Sequence, residues 1–235
     1  MKTILITGGN GNLAKEIIKQ STGYKILSPT RDVLNIKKPH SINQFFNNNK
    51  IDYVIHAAAL TKPMSIHEED IVKSISTNII GTANVVKYCE KYNVKLIHIS
   101  TDYVYPANAT NVKEDDGLLP FNNYGWSKLG AEASVQMYKN SLILRLSFLP
   151  KPFPFPKAFS NIVRNVGYID DVAKNILSVL DEFGVMNLGS DEVKNMYELA
   201  LETNSEVEPM EDDFESAKEK SITLNINKFK YLNKS

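Results

Sequence analysis

The sequence is short of cysteine, and that removes the covalent option first. Its single thiol, Cys89, can make no intramolecular disulfide. Its place inside the helical-looking run TANVVKYCEKY marks it as a buried spectator rather than a nucleophile. Net charge is missing too: 27 Lys and Arg balance 27 Asp and Glu, so nothing draws the chain to nucleic acid or to an anionic membrane. No stretch approaches the ~18 apolar residues of a membrane span. The aliphatic run in MKTILITGGN is far shorter than the roughly 7–15 residues of a secretory core. These absences predict a cytoplasmic protein with neither nucleic acid nor membrane as partner. The histidines His40, His56, His67 and His98 show no metal-ligand spacing, so no metal is expected; His56 and His98, on strand patterns, read as satisfied core residues. There is no internal repeat and no low-complexity tail.

What is present is alternation. The 235 residues suit one large domain, or one with a small appendage. Ile4-Leu5-Ile6, Tyr24 to Leu27, Tyr53 to Ile55, Leu96 to Ile99 and Leu142 to Leu144 are short and rich in β-branched residues, as buried strands should be. Between them Leu13 to Gln20, Thr77 to Tyr92 and Trp126 to Tyr138 repeat apolar residues at helical spacing. Strand-helix alternation predicts an α/β fold, a doubly wound parallel sheet of Rossmann type, with ligands beyond the carboxyl ends of its strands. The texture changes after Arg145. LPKPFPFPKAF is too proline-rich for helix or central strand and reads as a loop leaving the sheet. Beyond it, Tyr168 to Phe183 reads as helix, Val185 to Leu188 as strand, Glu192 to Thr203 as helix with Ser190 as N-cap, and EDDFESAKEK as a solvated run. The expected division is a dinucleotide-binding domain over 1–149. A short substrate-binding lobe over 150–235 would be partly packed back on the first domain.

ILITGGNGNLAKEI places Gly8, Gly11 and Ala14 three residues apart, after a strand and opening a helix, which is the context a dinucleotide fingerprint requires. Gly8 permits a tight turn, Gly11 lets backbone approach a pyrophosphate, and Ala14 is small enough for helix-strand packing. The helix N-terminus offers unpaired N–H groups to phosphate. A tight turn without a ligand would leave the same pattern. The cofactor's 2′ position falls near SPTRDV, where Arg31 suits a 2′-phosphate and Asp32 a free ribose. NADPH and NADH both remain open, with a lean to NADPH.

In FNNYGWSKLGAEA, Tyr124 and Lys128 lie one helical turn apart and so share a face. Reduction of a ketone needs a proton donor for the forming alkoxide. A tyrosine with its ordinary pKa near 10 exchanges protons reluctantly at neutral pH, and a neighbouring ammonium lowers that value. HISTDYVYP offers Ser100 and Thr101 at a strand mouth as a fixed hydrogen-bond donor to the same oxygen.

With these residues the chain resembles the extended short-chain dehydrogenase/reductases, in particular the branch of dTDP-4-dehydrorhamnose reductases and related nucleotide-sugar reductases. TGGNGNLA, VIHAAALT, STDYVY, YGWSK, ILRLSF and YIDDVA carry the resemblance, in the family's order and approximate spacing. It implies a catalytic triad of Thr101, Tyr124 and Lys128 that reduces a 4-keto-6-deoxy nucleotide sugar with NADPH or NADH, in activated deoxysugar synthesis. Lys128 would also hold the nicotinamide ribose. The resemblance further assigns Gly8, Asn10, Gly11, Asn12, Leu13, Arg31, Asn35 and Ile36 to the cofactor. Ala57, Ala58 and Ala59 would pass beneath it, and Tyr103 and Phe148 would contact the sugar. Asn78 matches a helix asparagine near the family's active site, where a core role is equally open. A homodimer is compatible with the resemblance.

Related 4,6-dehydratases carry Asp-Glu after the threonine. Asp102-Tyr103 here lacks the base for elimination and favours simple reduction. An epimerase on the same scaffold, or a non-catalytic cofactor-binding regulatory subunit, are the alternatives. The roughly 90 residues after Arg145 are fewer than the family usually has. Phe148 stands where the reductases often have tryptophan, and the loop from Lys151 to Phe159 matches no family motif. Trp126 faces either pocket or neighbour, and at least two of Phe153, Phe155 and Phe159 are expected to pack the lobe.

Overall fold

Residues 1–232 are described in the computed structural model. The first aliphatic run forms β1 (Thr3–Thr7), buried throughout, and the glycine turn releases the chain into α1 (Asn12–Gln20). β2 (Lys25–Leu27), α2 (Pro39–Asn48) and β3 (Tyr53–His56) follow. The sequence reading does not anticipate α2. Its asparagines are poor helix formers, and only Ile42 and Phe46 are buried, so its periodic signal is thin. Two short helices, α3 (Ile66–Glu69) and α4 (Ile71–Ser74), lead through a π-helical stretch, Ile75–Ile80, into α5 (Gly81–Tyr92). The helix expected from Thr77 therefore begins at Ile71 and carries an irregular turn.

β4 (Lys95–Ile99) ends at a 3₁₀ turn, Asp102–Val104, and α6 (Asn123–Gln136) starts ahead of Trp126. Asn122 sets that start by accepting the Gly125 N–H at 2.8 Å. β5 (Ser141–Leu146), β6 (Phe148–Leu149), β7 (Lys157–Phe159), β8 (Val163–Arg164) and β9 (Gly167–Tyr168) precede α7 (Ile169–Ser178). β10 (Gly184–Leu188), β11 (Lys194–Asn195), α8 (Met196–Leu201), β12 (Glu208–Met210), α9 (Phe214–Lys220) and α10 (Asn227–Leu232) complete the order.

Six parallel strands run β10-β5-β4-β3-β1-β2. One face packs on α1 and α7 through Ile17, Val172 and Ile176; the other packs on α2, α5 and α6 through Phe46, Val85 and Val135. Helices on both faces make the sheet doubly wound, as the alternation predicted. The lobe is built from three two-stranded pairs, β6-β9, β7-β12 and β8-β11, over small clusters such as Phe153, Ala158, Ala200 and Val207.

Several expectations beyond Arg145 are corrected. α7 stops at Ser178 rather than Phe183. α8 starts at Met196 because Lys194 and Asn195 first pair with β8; its cap is Asn195, in a capping box with Glu198, and not Ser190. EDDFESAKEK contains α9, capped by Asp213 and tucking Ala217 inward. Phe153 is buried with Phe155 against its ring, Phe159 lies in β7, and Trp126 is half exposed. Cys89 is fully buried, which pushes its thiol pKa well up. His56 is satisfied by Thr7 at 2.7 Å and Thr82 at 3.0 Å. His98 is not: both its ring nitrogens are buried without a partner among the described residues, and the neighbouring ring is His56 at 5.4 Å. Burial lowers the pKa of both rings, that of His56 to about 3.

One charged contact lies inside the fold. Arg145 of β5 and Glu132 of α6, each 2% exposed, meet at 2.9 Å, and Ser100 donates to the same carboxylate. Arg145 also donates to the Tyr105 hydroxyl and the Glu114 carbonyl. Arg145→Met strands a buried carboxylate and should cost about 3–5 kcal/mol in denaturant unfolding. Adding Glu132→Leu should recover most of that loss.

Candidate active site

The glycine turn is shaped by close backbone approach. Gly8 has φ +72, and a Cβ there would lie 2.8 Å from the Ala58 Cα, so only glycine fits. The Gly11 N–H closes the turn on the Gly8 carbonyl at 2.9 Å. Gly11 is the N-cap of α1 and caps it with no side chain, leaving first-turn N–H groups for an anion. Ala57, Ala58 and Ala59 follow β3, and Thr7 holds them in place by accepting the Ala58 N–H at 3.2 Å.

These segments form one wall of a cleft of about 700 Å³ at the carboxyl ends of the strands. Gly8, Asn10, Gly11, Asn12, Leu13, Arg31, Asn35, Ile36, Ala57, Ala58 and Ala59 line it, and Thr101, Tyr103, Tyr124, Lys128 and Phe148 line it as well. Every residue singled out from the sequence as catalytic, cofactor-binding or substrate-binding thus reaches the same cavity. Ile36 packs against the helix opposite, where a Cβ on Gly81 would meet its side chain at 2.8 Å. Phe153, Phe155, Phe159 and Trp126 are not in the lining.

Tyr124 and Lys128 project from one face of α6, but their electrostatics differ from expectation. Lys128 is 3% exposed and donates to the Ile99 carbonyl at 2.6 Å. Burial lowers its pKa to about 8, against the pull of Glu132. Burial pushes Tyr124 up to about 12, and the Thr101 side chain acts against that rise. The expected acidification of Tyr124 by Lys128 is not found, because desolvation outweighs the favourable contact and the ammonium is drawn to a backbone carbonyl.

The sequence left the role of Asn78 open, and the structure gives it a clamping one. It accepts the Leu60 N–H at 2.7 Å, donates to the Leu60 carbonyl at 3.0 Å and donates to Ser127 at 2.8 Å. It therefore ties the loop after β3 to α6. His67, absent from the sequence candidates for this site, lies 5.1 Å from the Tyr124 ring and pairs with Ser74 at 2.7 Å. Arg164 was also missed. It lines the cleft and forms an ion pair with Asp102, 62 positions earlier, a separation at which spacing carries no signal.

Residues 1–166 match the RmlD substrate binding domain family, and every residue lining the cleft lies within that range. The chain belongs to this family. The spore coat polysaccharide biosynthesis protein SpsK of Bacillus subtilis is 30% identical over 188 residues, 78% of this chain and 64% of that protein. The dTDP-4-dehydrorhamnose reductase of Mycolicibacterium smegmatis is 29% identical over 181 residues, 74% of this chain and 54% of that protein. The crystal structure of a dTDP-4-dehydrorhamnose reductase of Clostridium acetobutylicum superposes with a TM-score of 0.86 at 25% identity, covering 99% of this chain and 93% of that one. The chain thus spans less than two thirds of either of those two sequence relatives but nearly the whole of this RmlD-type structure. No helix among the described residues is long and apolar enough to cross a membrane.

The depressed lysine has a measurable signature. The unfolded chain keeps that proton to about pH 10.4, while the folded chain releases it near 8, so stability rises with pH between the two. Compared with Lys128→Met, the parent chain should gain stability from pH 8 to 10 in urea unfolding. A constant difference would show an ordinary surface-like lysine.

Proposed function

We propose that the chain is an NAD(P)H-dependent reductase of a 4-keto-6-deoxy nucleotide sugar, with 1–149 as the cofactor-binding part and 150–235 supplying a short substrate lobe. The carrying observation is a single cleft lined both by the glycine cradle and by Thr101, Tyr124 and Lys128. A dinucleotide suits the cradle because Gly8 lets the turn lie against the Ala58 backbone and the α1 amides beside it lack a side-chain cap. In this reading Gly8, Asn10, Gly11, Asn12 and Leu13 hold the diphosphate. Arg31, Asn35 and Ile36 hold the adenosine, and Ala57 to Ala59 leave room beneath it. When bound, the nicotinamide supplies hydride to the substrate carbonyl.

The chain's own work is to move a proton and bear the resulting charge. A Tyr124 with pKa about 12 is protonated at neutral pH, the form an acid needs. It gives that proton to the ketone oxygen, and the phenolate left behind is the costly species. Thr101 and Lys128, one helical turn away, supply the hydrogen bond and the positive charge that offset it. Lys128 with pKa about 8 remains mostly cationic under those conditions and also holds the nicotinamide ribose. Tyr103 and Phe148 give the sugar apolar faces. Elimination is disfavoured, since Asp102 is tied up in an ion pair and Tyr103 offers no carboxylate base.

Wild-type protein should consume reduced cofactor with such a keto sugar, followed by the loss of nicotinamide absorbance. Tyr124→Phe should lower kcat by about 10²–10⁴ while leaving cofactor affinity intact. Unchanged turnover in that variant removes the phenol from the mechanism. Interconversion of sugars without net cofactor use would point to the epimerase alternative instead.

A further inference from the structure

The proton-transfer scheme leaves one ion pair in the cleft wall without a task. Arg164 in β8 donates through Nη2 to Asp102 Oδ2, and the two side chains are 9% and 3% exposed. The other carboxylate oxygen, Oδ1, accepts from the Thr101 hydroxyl at 3.2 Å. Thr101 Oγ1 in turn accepts the Tyr103 N–H at 3.3 Å. A hydroxyl has one proton, so in the resting state it lies on Asp102 Oδ1, and it turns to the Tyr124 oxygen when the phenolate forms. Thr101 is also the side chain that acts on the Tyr124 hydroxyl. The guanidinium of Arg164 lies 5.0 Å over the Tyr103 ring, which meets the Tyr124 ring edge-on at 6.2 Å.

A buried ion pair is by itself weak evidence of stabilisation, because desolvation offsets its attraction. A second guanidinium nitrogen, Nε, is buried with no partner among the described residues, an arrangement poorly suited to stability alone. What the pair does accomplish is to join two parts of the chain. Asp102 follows β4 of the main sheet, whereas Arg164 is carried by the small β8-β11 pair of the lobe.

We propose that Asp102 and Arg164 are positioning residues for Thr101. The guanidinium fixes the carboxylate, and the carboxylate holds the threonine side chain, so that Oγ1 stays beside Tyr124 until the phenolate forms. The inference rests on the reductase reading, in which Thr101 stands beside the reacting oxygen. It adds that the lobe reports its seating to the proton-transfer pair through one charge-assisted hydrogen bond. Neither Asp102 nor Arg164 needs to touch the reacting atoms for this.

The test is a double-mutant cycle on kcat and KM with Asp102→Ala, Arg164→Met and the two combined. Each single change should lower kcat about 10- to 100-fold with KM little altered, the scale of one charged hydrogen bond. The combined variant should be no worse than the poorer single one. It carries no uncompensated buried charge, so it keeps the comparison sound if a single variant folds poorly. Arg164→Lys, which retains the cation, should recover most of kcat. Additive losses, or a KM rise at constant kcat, overturn the proposal; the latter would make Arg164 a substrate contact. Crystal structures of the same variants should show the Thr101 side chain rotated so that Oγ1 leaves its present position, and an unmoved Oγ1 also overturns it. Failure of the wild type to reduce any keto sugar would sink the reductase reading instead, and the Thr101 geometry would still decide this one.

Discussion

The placement of the proposed chemistry depends on one buried carboxylate. Glu132 is reached by Arg145 from β5 and by Ser100 from the loop after β4, so a single side chain on α6 locks that helix against two adjacent strands. Tyr124 and Lys128 lie two turns and one turn before it on the same helix. Their height over the sheet is therefore fixed by an ion pair, Glu132 with Arg145, whose two residues lie outside the cleft lining. An apolar residue could pack this space, but it would not specify which turn of α6 faces which strand. Directionality is what an ion pair with several hydrogen bonds supplies. Asn78 performs the corresponding task on the opposite side, tying α6 to the loop that carries the alanines.

Much of the scaffold was legible because buried parallel strands and amphipathic helices leave strong one-dimensional signals. Each aliphatic run before Arg145 became a strand, and the glycine turn sits where its spacing put it. α2 escaped because its inward face amounts to Ile42 and Phe46 among asparagines. The lobe was read poorly for another reason. Its strands are two or three residues long and paired across distant segments, as with Val163 and Asn195. No periodicity survives in elements that short.

At the site, residue types were readable from the sequence while their electrostatics were not. Helical spacing put Tyr124 and Lys128 together, yet it says nothing about desolvation, which here pushes both groups toward their neutral forms. The same limit applies to His98, whose strand position was evident but whose unpartnered nitrogens depend on tertiary packing. Asp102 stood next to Thr101 in plain view, while its partner arrives from a segment that local patterns cannot connect to it.

The sheet closes with β10, a strand that divides the lobe in sequence and pairs with β5 along its length. The lobe is accordingly spliced into the scaffold, with its first piece tethered between β5 and α7 and its second leaving from β10. A loop held at both ends can tilt but cannot drift away. A change in its length therefore alters how it leans over the cleft mouth more than whether it stays there. In the proposed reductase, a change of length in this region would resize the opening while leaving the glycine cradle untouched.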